Sequence, residues 1–264
     1  MIKELIQKIF IFFGYKIINL KKDKSNLDQY LKTLINYNPL IFDVGSNNGQ
    51  SVENFKKIYP EAKFHCFEPN PDVWNILDKN YKDNKNVVTN IIAVSDQIGA
   101  NKFHIYANSK HSSFNKLIPN HQYTKERSKT FNLKETEYLK KIVDVKTITL
   151  DKYCEENNVN HIDILKIDTE GHDEKVLAGA KNLIKENKIS IIKVELRFSE
   201  VYEKYSLDIY DIEKHITPYG YKLFGNNAYG NFYSDYTWLS DHLYISKDIY
   251  NNIKKNKSFK SFAD

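Results

Sequence analysis

The stretch Leu40-Ile41-Phe42-Asp43-Val44-Gly45-Ser46-Asn47-Asn48-Gly49-Gln50 decides how the chain is read. Leu40, Ile41, Phe42 and Val44 form a short apolar run, as a parallel strand covered on both faces requires. Gly45 and Gly49 bracket three polar residues, so the backbone can turn sharply and come close to a ligand. Val52, Phe55 and Ile58 then recur at helical spacing. A strand, a glycine loop and a helix start together make a nucleotide-type site.

Outward from that stretch, strands and helices alternate. Strand-like runs cover residues 62–67, 86–94, 143–150, 162–167, 189–196, 221–224 and 242–245. Helical patterns cover 72–81, 151–157, 176–184 and 209–216. This alternation predicts an α/β fold with a Rossmann-like, doubly wound sheet. Residues 101–106 read as an added strand. Residues 107–141 are long, polar and without clear period, and a stretch of that kind inside a compact domain is usually functional. We read it as a substrate-facing insert, partly helical between Thr124 and Lys140. The domain organisation expected is a helical N-terminal extension over 1–38, a main domain over 39–250 carrying the insert 107–141, and a basic tail over 251–264 that frays.

Composition narrows the function classes. The chain has 264 residues, 41% of them apolar, and a formal net charge of +5. The positive excess is mild and spread along the chain, which argues against a nucleic-acid partner. The two cysteines, Cys66 and Cys154, lie far apart with no CxxC, so neither a disulfide framework nor a zinc site is expected, and a reducing cytoplasm fits. No apolar run reaches the roughly 18 residues of a transmembrane helix. Ile2, Leu5, Ile6, Ile9, Phe12 and Phe13 mark one apolar helical face without a small-residue cleavage pattern. That face either packs on the domain or on a second subunit, or lies peripherally on the inner face of the membrane.

In open α/β sheets ligands bind at the carboxyl ends of the strands, near the point where strand order reverses. Four strand ends here carry acids: Asp43, Glu68, Asp168 with Glu170, and Glu195. Glu68 follows Asp43 by 25 residues, near the spacing at which an acid accepts hydrogen bonds from ribose hydroxyls. The dinucleotide fingerprint needs a second glycine so that backbone can approach a pyrophosphate; Asn47 occupies that position. An NAD-type oxidoreductase is therefore the weaker alternative. S-adenosylmethionine lacks a pyrophosphate and fits better, with Asp43 able to meet its ammonium directly or through water.

Four strings make the reading specific: Asp43-Val44-Gly45-Ser46-Asn47-Asn48-Gly49, Phe67-Glu68-Pro69-Asn70-Pro71, Asn90-Ile91-Ile92-Ala93-Val94-Ser95-Asp96 and Leu165-Lys166-Ile167-Asp168-Thr169-Glu170-Gly171. With Val176-Leu177-Ala178-Gly179-Ala180 after them, they resemble the FkbM family of S-adenosylmethionine-dependent methyltransferases over about residues 38 to 200. The resemblance implies a class I methyltransferase sheet of about seven strands with the last one antiparallel. It implies O-methylation of sugars and other hydroxylated products, often in surface-polysaccharide biosynthesis. Asp43, Gly45, Ser46, Asn47 and Gly49 would hold the methionine part of the cofactor. Glu68 would take the ribose, with Pro69 and Asn70 shaping the adenine side. Ala93, Val94 and Asp96 would edge the adenine, and Asp168 would stand where cofactor methyl and acceptor meet. Ser46 replaces the family's usual alanine, and His172-Asp173 stands where Ala-Glu is common.

Methyl transfer needs an acceptor oxygen aligned with the sulfonium methyl and a base for its proton. Asp168 is the first candidate base, with Glu170, His172 and Glu195 as alternatives. Asp168, Glu170 and His172 are also of the types that ligate a divalent metal. Their i, i+2, i+4 spacing crosses a strand-to-helix turn, and no metal is assigned. His111, Ser112 and Ser113 in the insert are the candidate substrate-binding residues. Tyr229-Gly230-Asn231-Phe232-Tyr233 and the insert suit contact with a sugar, a glycan or a nucleotide-sugar. A different class of function, a non-catalytic membrane-associated component of a glycan-assembly complex, rests on the apolar face from Ile2 to Phe13.

Overall fold

The computed structural model describes residues 27–198, 200–203, 208–229 and 239–256, together with Ile6 and Phe12. Helix α1 (Asp28–Leu34) precedes β1 (Leu40–Val44) and α2 (Gln50–Ile58). The chain continues through β2 (Lys63–Phe67), α3 (Pro71–Tyr81), β3 (Val87–Asn90), β4 (Ala93–Val94) and β5 (Gly99–Tyr106). Next come α4 (Gln122–Thr130), α5 (Glu135–Tyr138), β6 (Leu139–Ile148) and α6 (Leu150–Glu156). Then follow β7 (Ile162–Ile167), α7 (Asp173–Ala178), α8 (Lys181–Lys185) and β8 (Ile189–Arg197). The last elements are α9 (Ile209–Ile216), β9 (Lys222–Tyr229), β10 (Leu239–Ile245) and α10 (Lys247–Asn256).

Seven strands form one sheet in the order β3-β2-β1-β7-β8-β10-β9. β1 pairs in parallel with β2 on one side and with β7 on the other. β10, the last strand, runs antiparallel to both β8 and β9. Strand count and the antiparallel last strand are as the sequence led us to expect. The order reverses between β1 and β7, so the crevice at their carboxyl ends is the switch point where ligands bind.

The apolar runs are explained by burial on both faces. Neighbouring residues point to opposite sides of a strand. Thus Ile41, Ile164 and Ile191 enter one core cluster, while Phe42, Leu165 and Ile192 enter the other. Leu27, Leu31 and Ile35, from α1 and its flanks, are buried in the first of these. Cys66 and Cys154 are buried free thiols.

Several expectations need correction. Residues 86–94 are not one strand. β3 stays in the main sheet, whereas β4 joins β5 and β6 in a second sheet of order β4-β6-β5. The chain leaves the main sheet at Asn90, whose side-chain amide donates to the Cys66 carbonyl at 3.0 Å. β6 starts at Leu139, earlier than predicted; its first residues run along β5 with Lys140, Lys141 and Ile142 all exposed, and so do not alternate as a half-buried strand would. It ends before Leu150, where Thr149 caps α6 by accepting the Lys152 N–H at 3.1 Å. The insert is partly helical, as expected. It folds α4 and α5 around its own apolar cluster of Tyr106, Leu117, Tyr123, Tyr138, Val201 and Tyr202. Residues 251–256 continue helix α10 instead of fraying.

Of the proposed N-terminal apolar face, Ile6 and Phe12 are helical and exposed, and the remainder lies outside the described residues. So do residues 230–238, which hold most of the aromatic stretch noted above. Among the described residues no helix is long and apolar enough to cross a membrane.

Candidate active site

The loop after β1 is stitched to the loop after β2. Gly45 has φ +84°, and a Cβ there would collide with the Asp168 carbonyl oxygen, so the position excludes any L side chain twice over. The Gly45 and Ser46 N–H groups both donate to the Phe67 carbonyl, at 3.0 and 3.1 Å. Ser46 Oγ donates to the Asp43 carbonyl at 2.6 Å and accepts the Phe67 N–H at 3.1 Å. The hydroxyl that replaces the family's alanine is thus a structural tie.

Glu68 clamps the two loops together. Its Oε2 accepts the Asn47 N–H at 2.9 Å, and its Oε1 accepts the Asn70 N–H at 2.8 Å. Asn47 presents that N–H by adopting a left-handed φ of 47°. Asn70 caps α3, accepting the Asp72 N–H at 3.1 Å, with Pro71 as the first helical residue. Burial pushes the Glu68 carboxyl up to about 7, against the pull of the two backbone donors. Each oxygen keeps a further acceptor position.

A buried lysine organises the next strand end. Lys166 Nζ lies 3.1 Å from Asp43 Oδ1, 3.3 Å from Asp168 Oδ2 and 3.3 Å from the Gly45 carbonyl. The two carboxylates outweigh burial and hold the ammonium charged. Asp43 is fully buried and faces this lysine, not the cavity. The expectation that Asp43 meets a cofactor ammonium is corrected: Lys166 supplies the ammonium it meets. A lysine in the middle of the apolar run Ile162–Ile167 was the signal that could have found it.

Beyond Lys166, carboxylate oxygens of Asp168, Glu170 and Glu195 lie within 4.8 Å of one another. Glu170, at φ +53°, accepts from Arg197 Nη2 at 2.9 Å and from the Tyr202 hydroxyl at 2.8 Å. Burial raises its carboxyl and Arg197 opposes the shift. Burial, followed by the charges of Asp168 and Glu170, pushes the Glu195 carboxyl well up, so this group holds its proton near neutrality. His172 stands apart from the cluster. Its Nε2 is 3.0 Å from Ser95 Oγ, and its ring lies against Phe114 with centroids 4.3 Å apart. The metal-type trio drawn from sequence, Asp168, Glu170 and His172, is therefore not brought together; Glu195 takes the third place. Burial lowers the His172 imidazole to about 4, so it is neutral at pH 7.

The insert closes the other wall. Ser113 Oγ donates to the Glu170 carbonyl at 2.7 Å, and Asn115 Nδ2 donates to the Gly171 carbonyl at 2.9 Å. His111 is buried between two phenols, with Nδ1 2.7 Å from the Tyr138 hydroxyl and Nε2 3.1 Å from that of Tyr123. Burial first, then the cations Arg127, Arg197 and Lys110, lower its imidazole to about 3. Ser112 Oγ accepts the Tyr106 N–H at 3.2 Å.

These walls enclose a cavity of about 370 Å³ at the carboxyl ends of the sheet. Among the residues named from sequence, Gly45, Ser46, Asn47, Glu68, Pro69, Ala93, Val94, His111, Ser112, Asp168, Glu170, His172 and Glu195 line it. Asp43, Gly49, Asn70, Asp96 and Ser113 do not. Asp96 pairs instead with Lys175 at 2.9 Å. Phe114 and Arg127, which belong to the stretch read as substrate-facing, line the cavity too, and sequence reasoning gave no site role to Lys166, Arg197 and Tyr123, which also line it. Arg197 ends β8 two residues beyond Glu195, a position strand-end logic could have reached. Tyr123 and Arg127 carry no such signal, because the insert lacks a period.

Comparison with known proteins follows the same lines. Residues 43–223 match the Methyltransferase FkbM domain. The 2-O-methyltransferase NoeI of Sinorhizobium fredii (strain NBRC 101917 / NGR234) is 26% identical over 189 residues, which cover 70% of this chain and 75% of NoeI. Among solved structures, an S-adenosylmethionine-dependent methyltransferase from Clostridium acetobutylicum ATCC 824 aligns with a TM-score of 0.43 at 8% identity, covering 93% of this chain and 99% of that one. Aeropyrum pernix fibrillarin, in complex with natively bound S-adenosyl-L-methionine, aligns with a TM-score of 0.40 at 12% identity, covering 79% and 67%. The sheet order itself, not these distant likenesses, defines the fold.

Proposed function

This chain belongs to the FkbM family of S-adenosylmethionine-dependent methyltransferases, and from that premise we propose that it methylates a hydroxyl oxygen of a sugar or sugar-containing precursor. Family membership displaces the oxidoreductase alternative. One observation carries the reading: a single cavity joins the glycine loop and Glu68 to Asp168, Glu170 and Glu195. The likeness to NoeI, a 2-O-methyltransferase, supports an oxygen acceptor.

The lining suits S-adenosylmethionine. The loop Gly45-Ser46-Asn47 would cradle the methionine part. The free acceptor positions of Glu68 would take ribose hydroxyls. Phe67, Ile92, Ala93 and Val94 give an apolar slot for a flat ring. When bound, the cofactor supplies a methyl already activated by its sulfonium.

The chain's own residues do the rest. Asp168, the cluster carboxylate held by Lys166, receives the proton of the acceptor hydroxyl. Burial and the neighbouring acids keep the proton on Glu195 near neutrality, which removes Glu195 as the base. Glu170, tied by Arg197 and Tyr202, orients the loop after β7 and is too engaged to serve as base. The insert, anchored through Ser113 and Asn115, holds His111, Ser112 and Phe114 as one wall of the cavity.

Methyl transfer from labelled S-adenosylmethionine to a panel of monosaccharides and nucleotide-sugars, read by mass spectrometry, tests the acceptor class. A methyl found only on non-sugar hydroxyls would sink the sugar reading. The setting it implies is cytoplasmic surface-polysaccharide biosynthesis, checked by a lost methyl mass in the glycans of a deletion strain. Membrane or subunit contact through Ile2–Phe13 is checked by liposome flotation and by sedimentation with and without residues 1–20.

A further inference from the structure

Four cations line the sheet-end cavity and differ in how their charge is met; Lys110, on the insert, is exposed. Lys166 is matched by Asp43 and Asp168. Arg197 is matched by Glu170 at 2.9 Å, with Glu195 at 3.9 Å. Arg127, on α4, also lines the cavity and is half-buried, yet among the described residues no carboxylate oxygen lies within 4.0 Å of it.

Arg127 is nevertheless held in place. Its guanidinium carbon sits 5.0 Å from the centroid of the Tyr123 ring, and that of Arg197 sits 6.0 Å from the same ring. Tyr123 is itself fixed by His111, and His111 by Tyr138; all three side chains are buried. Burial keeps His111 neutral, so the platform adds no charge of its own. Arg127 is thus a pre-positioned cation on a rigid aromatic base, with donors to spare.

The cavity is polarised as a result. At the ends of β7 and β8, Asp168 and Glu170 already engage Lys166 and Arg197, so an anion there would compete with carboxylates in place. The insert wall attracts one. Arg127 stands on the Arg197 side, at β8, while the glycine loop follows β1, two strands away in the sheet. We propose that the acceptor carries an acidic group, a carboxylate or a phosphate, that seats on Arg127 while its hydroxyl faces Asp168. This rests on the reading that the cavity holds a hydroxylated acceptor for methyl transfer, and it narrows that acceptor to an acidic sugar.

The test uses the full chain. Calorimetry with S-adenosylhomocysteine comes first; failure to bind would sink the methyltransferase reading of this cavity and leave the acid preference to be judged separately. Glucuronate, glucose 6-phosphate and glucose are then titrated with and without S-adenosylhomocysteine and followed by ligand-observed NMR. At least one acid is expected to bind about tenfold tighter than glucose, the scale of a charge-assisted hydrogen bond. Preference for glucuronate identifies a carboxylate, and preference for glucose 6-phosphate a phosphate. Arg127→Gln should abolish the preference, Arg127→Lys should restore part of it, and both should melt like the parent and bind S-adenosylhomocysteine unchanged. The proposal is overturned if glucose binds as well as both acids, if none of the three binds, or if Arg127→Gln keeps the preference. It is equally overturned if Arg127→Gln weakens S-adenosylhomocysteine, since Arg127 would then serve the cofactor's own carboxylate.

Discussion

Replacing Glu68 by Gln tests the loop clamp with almost no change of shape. In the parent, both carboxylate oxygens accept backbone N–H groups, from Asn47 at 2.9 Å and Asn70 at 2.8 Å. The amide keeps one acceptor and turns a donor toward the other N–H, which costs about 1–3 kcal/mol at any pH. A second effect depends on pH. Burial raises the Glu68 carboxyl from 4.5 to about 7 in the folded protein. A carboxyl raised on folding binds more protons in the native state, so its contribution is fully present below about 4.5 and is lost as pH climbs to about 7. That shift corresponds to about 3 kcal/mol lost by the parent across the window. Gln has no such titration. Glu68→Gln should therefore be less stable than the parent at pH 4.5 and approach or pass it at pH 8. Urea denaturation of both proteins across this range measures the difference. S-adenosylhomocysteine affinity gives an independent reading: it should strengthen in the parent as Glu68 ionises near pH 7 and stay flat in the variant. A stability difference that does not change with pH would refute the reasoning, because Glu68 would then titrate alike in folded and unfolded chains.

Lys166→Met leaves Asp43 fully buried without its partner, and a loss of about 3–5 kcal/mol is expected in denaturant unfolding. Gly45→Ala forces a side chain onto the Asp168 carbonyl at a left-handed φ; it should abolish S-adenosylhomocysteine binding in calorimetry and lower the melting temperature. Asp168→Asn should cut kcat by about 10²–10⁴ while changing S-adenosylhomocysteine affinity far less, and a labelled-methyl assay with parallel calorimetry separates the two effects.

The strand-end acids show where sequence logic reaches and where it stops. Short, mainly apolar runs mark β1, β7 and β8, and period-3.6 patterns mark the helices after them, because burial on both faces of a parallel strand removes the polar alternation. Glu68, Asp168, Glu170 and Glu195 could be named because strand ends in such a sheet must converge on one crevice. What each acid faces was not legible. Asp43 was assigned to the cofactor, yet Lys166 reaches it from the neighbouring strand, a pairing set by the register Asp43↔Lys166. Asp96 was placed at the adenine edge and turns out to hold Lys175.

Residues 107–138 were hardest to read. Their contacts are non-local: Ser113 meets Glu170, Asn115 meets Gly171, and Tyr106 and Tyr138 pack with Val201 and Tyr202. Local spacing carries no trace of such pairings. The sequence by itself determined the α/β class, the glycine loop and the family-type strand ends, since these follow from short-range patterning and from backbone needs that only particular residues meet. The tertiary structure alone decided which charges neutralise one another and that Arg127 lines the same cavity as the strand-end acids. Those depend on side chains far apart in the chain being brought within a few ångströms, where charge and burial act on each other directly.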